Sequence, residues 1–256
     1  MDIVAVRELF DRTLRADRRA VVGIERVWVA GVLRTTQGGH NFIGCWDFLP
    51  DRMEAIVARE VAHLHSVGGD LLWQVYDHDR PAGLERVLAD AGFEDQGMEK
   101  LLALEASAAA SLERPPGVDF RQVRTEEDLA SYAAVLRNAF GDQEWATIDF
   151  YLPRLSDPAM VLYLAYVDGE AVATGRLEAP RDGLFAGLND GGVIPQYRGT
   201  GLFRAIVAER AAEAARRGAR YLLVNAWETS RPTLERLGFE LLATRRQWKL
   251  KAPLPK

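Results

Sequence analysis

Several things are scarce in this 256-residue chain, and each scarcity excludes something. Cys45 is the single cysteine, so no disulfide can close within the chain and no thiolate zinc cluster can be assembled. A reducing, cytoplasmic setting is the expectation. Histidines number four and none follows His78, which removes a Ser-His-Asp triad from the second half. His63 and His65 stand two apart on a predicted helix and face different ways, so no metal site is expected. Basic residues are outnumbered by acidic ones, 32 to 37, for a net charge of -5, and nucleic acid is not an expected partner. No run approaches the ~20 apolar residues that a membrane span needs. Residues 1–19 are interrupted by Asp2, Arg7, Glu8, Asp11 and Arg12, so neither a span nor a signal peptide is expected.

Apolar residues make up 48% of the chain, enough for a packed core. Its length suits one large domain or two of ordinary size. Two internal stretches match. Leu88-Ala89-Asp90-Ala91-Gly92-Phe93-Glu94 and Leu234-Glu235-Arg236-Leu237-Gly238-Phe239-Glu240 each read as a helix end with a left-handed glycine and a phenylalanine packing back. Before them, helical periodicity over 52–67 leads through Gly68-Gly69 to a strand at 71–76. A second predicted helix, over 203–217, leads through Gly218 to a strand at 221–226. Final strands are expected at 98–104 and 246–250. Helix, strand, helix, strand occurring twice predicts a duplicated α/β unit with mixed sheets. Arg114-Pro115-Pro116-Gly117 cannot sit inside a helix or central strand. The expected division is therefore a first domain over 1–108, a linker over 109–117 and a second domain over 118–256.

The stretch that carries chemistry is Gly191-Gly192-Val193-Ile194-Pro195-Gln196-Tyr197-Arg198-Gly199-Thr200-Gly201-Leu202-Phe203-Arg204. An apolar strand over 184–188 precedes it and a helix follows. Free N–H groups and the macrodipole make a helix start a place for anions, and Gly199 and Gly201 let a pyrophosphate approach the backbone. It is not a Walker A loop, having no Gly-Lys-Ser/Thr, and it lacks the third glycine of the dinucleotide fingerprint.

Gln196, Gly199 and Gly201 match the Gln/Arg-x-x-Gly-x-Gly/Ala signature, and the chain from Val118 to Leu250 resembles the GCN5-related N-acetyltransferases (GNAT). The resemblance implies a first strand at 120–123, helices over 126–140 and a hairpin of 161–167 with 171–177 turning at Asp168-Gly169. It implies acetyl-CoA as co-substrate. The Val193 backbone and Asn225 would meet the pantetheine arm, while Arg198, Gly199, Thr200, Gly201, Leu202 and Phe203 would supply amides to the pyrophosphate. The first half keeps the late elements without the signature, since residues 41–50 offer a single glycine. It resembles the degenerate partner of tandem acetyltransferases. Trp28, Phe42, Trp46, Trp73 and Tyr76 are read there chiefly as core, with an acceptor wall as the other reading.

The resemblance also implies direct attack of an amine on the thioester, aided by proximity and by a base that removes the ammonium proton. Where many members have a glutamate on the strand before the glycine turn, this sequence has Asp190. Asp190 and Glu228 are the candidate catalytic carboxylates, whereas Glu178 reads as a solvated turn residue. Leu234 stands where many members have an acid tyrosine, and Ser230 reads as a helix cap. The expected function is acetyl transfer to a small-molecule amine. Acetylation of a protein lysine or amino terminus, and acyl-CoA sensing without turnover, are the alternatives. A pseudo-repeat within one chain would permit a monomer.

Overall fold

The computed structural model describes residues 1–19, 21–37, 40–112, 116–143, 146–179 and 183–252. The chain forms two compact units, Met1–Ile3 with Leu101–Leu241 and Val4–Lys100 with Leu242–Lys256. In order, the elements are α1 (Ile3–Phe10), β1 (Ile24–Val29), β2 (Val32–Gln37), β3 (His40–Trp46), α2 (Met53–Val67), β4 (Asp70–Tyr76), α3 (Leu84–Asp90) and β5 (Glu94–Glu105). The second half continues with β6 (Asp119–Gln122), α4 (Glu126–Phe140), α5 (Ile148–Tyr151), β7 (Met160–Val167), β8 (Glu170–Glu178) and β9 (Phe185–Val193). It closes with α6 (Leu202–Arg216), β10 (Tyr221–Ala226), α7 (Arg231–Arg236) and β11 (Glu240–Lys251).

The division differs from the cut expected at 109–117. Both crossings fall inside strands, because β5 passes from one unit to the other after Lys100 and β11 after Leu241. Residues 113–115 of the expected linker lie outside the described residues. Ala109, which opens it, is buried in a core rather than exposed. Strand pairing is not local in sequence, so a linker motif does not reveal which sheet takes a closing strand.

In the unit containing residues 101–241, β10, β9, β8, β7 and β6 follow one another across the sheet. Alternation along β7 explains its two-sided core. Val161 and Tyr163 pack with Ile206, Val207 and Ala211 of α6, whereas Leu162 and Leu164 pack with Leu129, Tyr132 and Leu136 of α4. Helix α4 begins at a capping box: Asp128 N–H donates to Thr125 Oγ1 (3.1 Å) and Thr125 N–H donates to Asp128 Oδ2 (3.0 Å). The hairpin of β7 and β8 turns at Asp168 (φ 50°) and Gly169 (φ 85°), as the Asp-Gly pair predicts. The Gly238 turn ends α7 with Phe239 N–H bonded to the Leu234 carbonyl (3.1 Å).

The unit containing residues 4–100 repeats that grammar. Its β3 and β4 run parallel over three pairs, Asn41 with Leu71 through Ile43 with Trp73. In the other unit β9 and β10 do the same, Phe185 with Tyr221 through Gly187 with Leu223. Ile43, Val57, Leu64, Trp73, Leu84, Leu88, Phe93 and Trp248 form its core, so Trp73 is a core residue. Strand β11 pairs antiparallel with β4, from Arg245 with Tyr76 to Lys251 with Asp70. Ion pairs of Arg245 with Glu99 and of Arg246 with Asp95 fasten it on the side of β5. Past Ile43 the position is taken from within: Arg15 donates to the Gly44 carbonyl (2.7 and 3.0 Å), pairs with Asp79 (2.8 Å) and lies 4.2 Å over the Tyr76 ring. Asp11, one helical turn earlier, bonds His78 (2.8 Å).

That last contact makes a pH-dependent latch. The hydrogen bond to Asp11 holds the His78 imidazole's pKa above its ordinary value against the opposing effect of burial. A group whose pKa rises on folding stabilises the protein fully below the unfolded value, and that contribution fades as pH climbs through the folded one. His78→Gln should therefore lower the unfolding free energy more at about pH 5.5 than at about pH 8.5, by the order of 1 kcal/mol or less for a partly buried pair. Equal losses at both pH values, read by thermal denaturation, would refute the latch.

Candidate active site

The glycine-containing turn is built from strand to helix within one unit. After β9, residues Pro195–Tyr197 make a single 3-10 turn. Gly199 (φ 80°) and Gly201 (φ 91°) then take left-handed conformations that other residues resist. A Cβ at either glycine would meet nothing within 4 Å, so the turn faces open space. Among the described residues no side chain caps the start of α6, and its first bond, Ala205 N–H to the Gly201 carbonyl (3.0 Å), leaves the earlier amides unspent. Thr200 Oγ1 donates back to the Tyr197 carbonyl (2.7 Å), which stiffens the turn, and Gln196 is exposed. Arg198 is turned inward, donating to the carbonyls of Val193 (3.3 Å) and Ala139 (2.8 Å). Of the residues the sequence singled out here, Gly199, Thr200, Gly201, Leu202 and Phe203 lie around the helix start. Arg198 fastens the turn to β9 and to the end of α4.

Strands β9 and β10 part beside this turn. Their pairing stops at Gly187 with Leu223, although β9 runs on to Val193 and β10 to Ala226. Val193 stays paired with Ala173 of β8, and its carbonyl is taken by Arg198 rather than by β10. Asn225 lies on the β10 side. Its Oδ1 is buried and makes no hydrogen bond with any described residue. A buried amide oxygen without a donor is a costly feature, and it marks a place for a ligand N–H.

The parting follows from a bulge. Thr174 of β8 pairs with Gly192 and Arg176 pairs with Asn189, so Asp190 and Gly191 together oppose Gly175. Asp190 adopts φ 53°, in the left-handed region, which aspartate tolerates better than most side chains. Its carboxylate lies on the α4 side. It is 2.7 Å from Arg176 Nε and accepts from the hydroxyls of Tyr151 (3.0 Å) and Tyr132 (3.4 Å). Burial and then the neighbouring Asp190 push both phenols' pKa values up, so they remain protonated donors. Arg176 Nη1 also donates to Glu178 (2.7 Å), which is gripped twice by Arg154 (2.8 and 2.7 Å), and Arg154 reaches Asp157 (3.2 Å). Glu178 is thus an ion-paired strut and not the solvated turn residue expected.

The remaining expectations sort plainly. Glu228, just past β10, is 80% exposed and only 3.9 Å at closest from Arg231, whose guanidinium bonds Glu235 instead (2.7 Å). Leu234 is fully buried in the core at the position where the resemblance looks for a tyrosine. Ser230 precedes α7 but makes no capping bond; its hydroxyl donates to the Trp227 carbonyl (3.2 Å). The structure does not bring Asp190 and Glu228 into contact. Sequence reading passed over Arg176, Tyr132, Tyr151 and Arg210. The available signal was a tyrosine on the apolar stripe 129, 132, 133, 136 of α4, and an arginine on the stripe 203, 206, 207, 210, 211 of α6. Among the described residues no cluster of three metal-binding side chains occurs, and no helix is long and apolar enough to cross a membrane.

Residues 121–239 match the model of the acetyltransferase (GNAT) family. Among solved structures the chain is similar to a GCN5-related N-acetyltransferase from Kribbella flavida, at TM-score 0.69 and 20% identity over 96% of this chain and 93% of that one. A functionally unknown conserved protein from Staphylococcus epidermidis gives TM-score 0.67 at 14% identity over 91% and 96%. A tandem GNAT protein from the clavulanic acid biosynthesis pathway gives 0.58 at 15% over 88% and 79%. At these identities the likeness is one of fold, and it extends over most of the chain. No curated protein matches it in sequence.

Replacing Asp190 by asparagine keeps the shape and the tolerance for left-handed backbone while removing the charge. Breaking a buried pair from one side costs about 3–5 kcal/mol. Asp190→Asn should lower the unfolding free energy by about 3 kcal/mol in urea denaturation; a loss below ~1 kcal/mol would mean that the Arg176 pair does not hold the bulge.

Proposed function

We propose that this chain, whose residues 121–239 match the model of the acetyltransferase (GNAT) family, transfers acetyl from acetyl-CoA to the amine of a small molecule. Acetyl transfer is the chemistry of the family. The observation that carries the finer reading is one juxtaposition: the gap between β9 and β10, with the unpartnered Asn225 Oδ1, adjoins the uncapped start of α6. A strand edge with open hydrogen-bonding groups suits the amides of a pantetheine arm, and Asn225 Oδ1 would accept one of its N–H groups. The amides from Gly199 to Phe203, with the positive end of the helix dipole, suit a pyrophosphate. Gln196 stands exposed at the mouth of that turn.

In this reading the chain holds thioester and amine together, and proximity contributes much of the rate. The amine nitrogen bonds to the acetyl carbon, the carbon–sulfur bond breaks, and CoA leaves as thiolate. The ammonium loses one proton to a carboxylate or through water before it attacks, and the nitrogen gives a second to water once the carbon–nitrogen bond has formed. Of the two candidates, Glu228 is solvent-facing with its oxygens nearly free, whereas Asp190 spends its oxygens on Arg176, Tyr151 and Tyr132. Glu228 is therefore assigned the proton, and Asp190 the shape and charge of the strand beside the reacting carbonyl. Leu234 offers no acid, and CoA thiolate leaves without one.

A second reading is an acyl-CoA sensor that binds without turnover. What favours it is the burial of Leu234 together with the engaged Asp190. Protein lysine or amino-terminal acetylation remains the alternative acceptor class.

Calorimetric titration of acetyl-CoA separates these readings from a purely structural fold. Wild type should bind, and Gly201→Glu, which sets an anion at the helix start, should bind at least ~10-fold more weakly. No binding to folded wild type would sink both ligand-based readings. With an amine that supports CoA release, Glu228→Gln should slow turnover by about 100-fold, the scale of general-base catalysis. An unchanged rate would move the proton to water or to Asp190, and CoA release with no amine in a broad panel would favour the sensor.

A further inference from the structure

Arg210 is the charge that no functional reading has yet used. It sits on the buried stripe of α6, 1% exposed, on the side of the sheet opposite to α4. Its guanidinium forms no ion pair with a described carboxylate. Instead Nε donates to the Ile206 carbonyl (2.9 Å), and Nη1 donates to the carbonyls of Asn189 (2.7 Å) and Arg176 (3.3 Å). Those two residues are register partners beside the bulge. Room for the group exists because two strand residues lack side chains. A Cβ at Gly175 would lie 2.7 Å from Arg210 Nε, and one at Gly191 would lie 3.0 Å from Nη2.

A cation buried among carbonyls alone is an expensive choice. Burial lowers the pKa of this arginine to about 10, even with Tyr132 and Asp190 nearby as offsets. Replacing it by an apolar side chain of similar volume would leave the Asn189 and Arg176 carbonyls without this donor. What the guanidinium does that an apolar chain cannot is orient peptide planes. In a trans peptide the C=O and the following N–H point in opposite directions. Holding the Asn189 carbonyl therefore fixes the N–H of Asp190. From the other side, Thr174 Oγ1 donates to the Asp190 carbonyl (3.0 Å) and so fixes the N–H of Gly191. The two peptide planes flanking the left-handed residue are thus gripped independently, one by α6 and one by β8.

We propose that Arg210 is a positioning residue, holding the Asn189–Asp190 peptide and with it the strand edge along which the thioester lies. The proposal rests on the acetyl-CoA reading for its purpose, though not for its geometry. It explains why a helix whose start faces the pyrophosphate also carries a buried cation two turns later. Binding at the turn and the shape of the gap are then set by one rigid element.

The test compares wild type with Arg210→Met, which fills the space without donors, and Arg210→Lys, which restores a donor. Three readouts are needed: melting temperature, deuterium uptake by the segment 187–193, and calorimetric binding of acetyl-CoA. The Met variant should still fold cooperatively, exchange faster in 187–193, and bind acetyl-CoA at least ~10-fold more weakly. The Lys variant should recover part of both losses. A Met variant that fails to fold, or melts well below wild type with binding unchanged, would make Arg210 a stability element and overturn the proposal. Unaltered exchange and binding would overturn it too. Should wild type itself not bind acetyl-CoA, the functional reading fails, and the exchange experiment still decides whether Arg210 holds the peptide.

Discussion

The left-handed conformation of Asp190 is the constraint on which the rest of the site depends. One extra residue in β9 turns the strand away from β10, and it stays there because its carboxylate, its carbonyl and the preceding carbonyl are each held by a different partner. The α4 side contributes tyrosine hydroxyls and an arginine, β8 a threonine, and α6 a guanidinium. Strained backbone persists where its surroundings over-determine it, and such places concentrate at sites of function. The chain of charges from Asp157 through Arg154, Glu178 and Arg176 to Asp190 extends that hold across the α4 face of the sheet. An ion-paired network of this kind contributes little net stability against a well-packed apolar alternative. Its distinctive effect is to exclude other arrangements of the strand.

Much of the architecture was legible in the sequence, and the reasons are local. Asp168-Gly169 specifies its turn through backbone preferences alone, and the two Gly-Phe helix ends do likewise. The helical periodicity over 52–67 likewise follows from the period of the helix itself. The anion-ready turn was equally readable, because glycines at Gly199 and Gly201 before an apolar helix leave few other conformations.

What was not legible depends on contacts between residues distant in sequence. Asp190 stood out as a carboxylate near the motif, but nothing in its neighbourhood shows that Arg176, Tyr132 and Tyr151 converge on it. Glu178 looked solvated because Arg154, the arginine that grips it twice, lies on a turn 24 residues earlier. Ser230 looked like a cap because serine before Arg-Pro commonly is one, yet its hydroxyl turns to Trp227. Arg210 was the most readable omission. A charge on an apolar helical stripe contradicts the pattern around it, and such contradictions are where a sequence departs from the demands of folding alone.

The passage of β5 and β11 between the two compact units bears on how the molecule comes into being. The unit that contains residues 4–100 also includes Leu242 onward, so its β4 has no β11 to pair with until the intervening residues 101–241 have been made. The earlier-made portion keeps a strand edge open while residues 101–241 are synthesised. Domains are commonly completed in the order of their synthesis. Truncation within β11 would therefore be felt in the unit that contains residues 4–100.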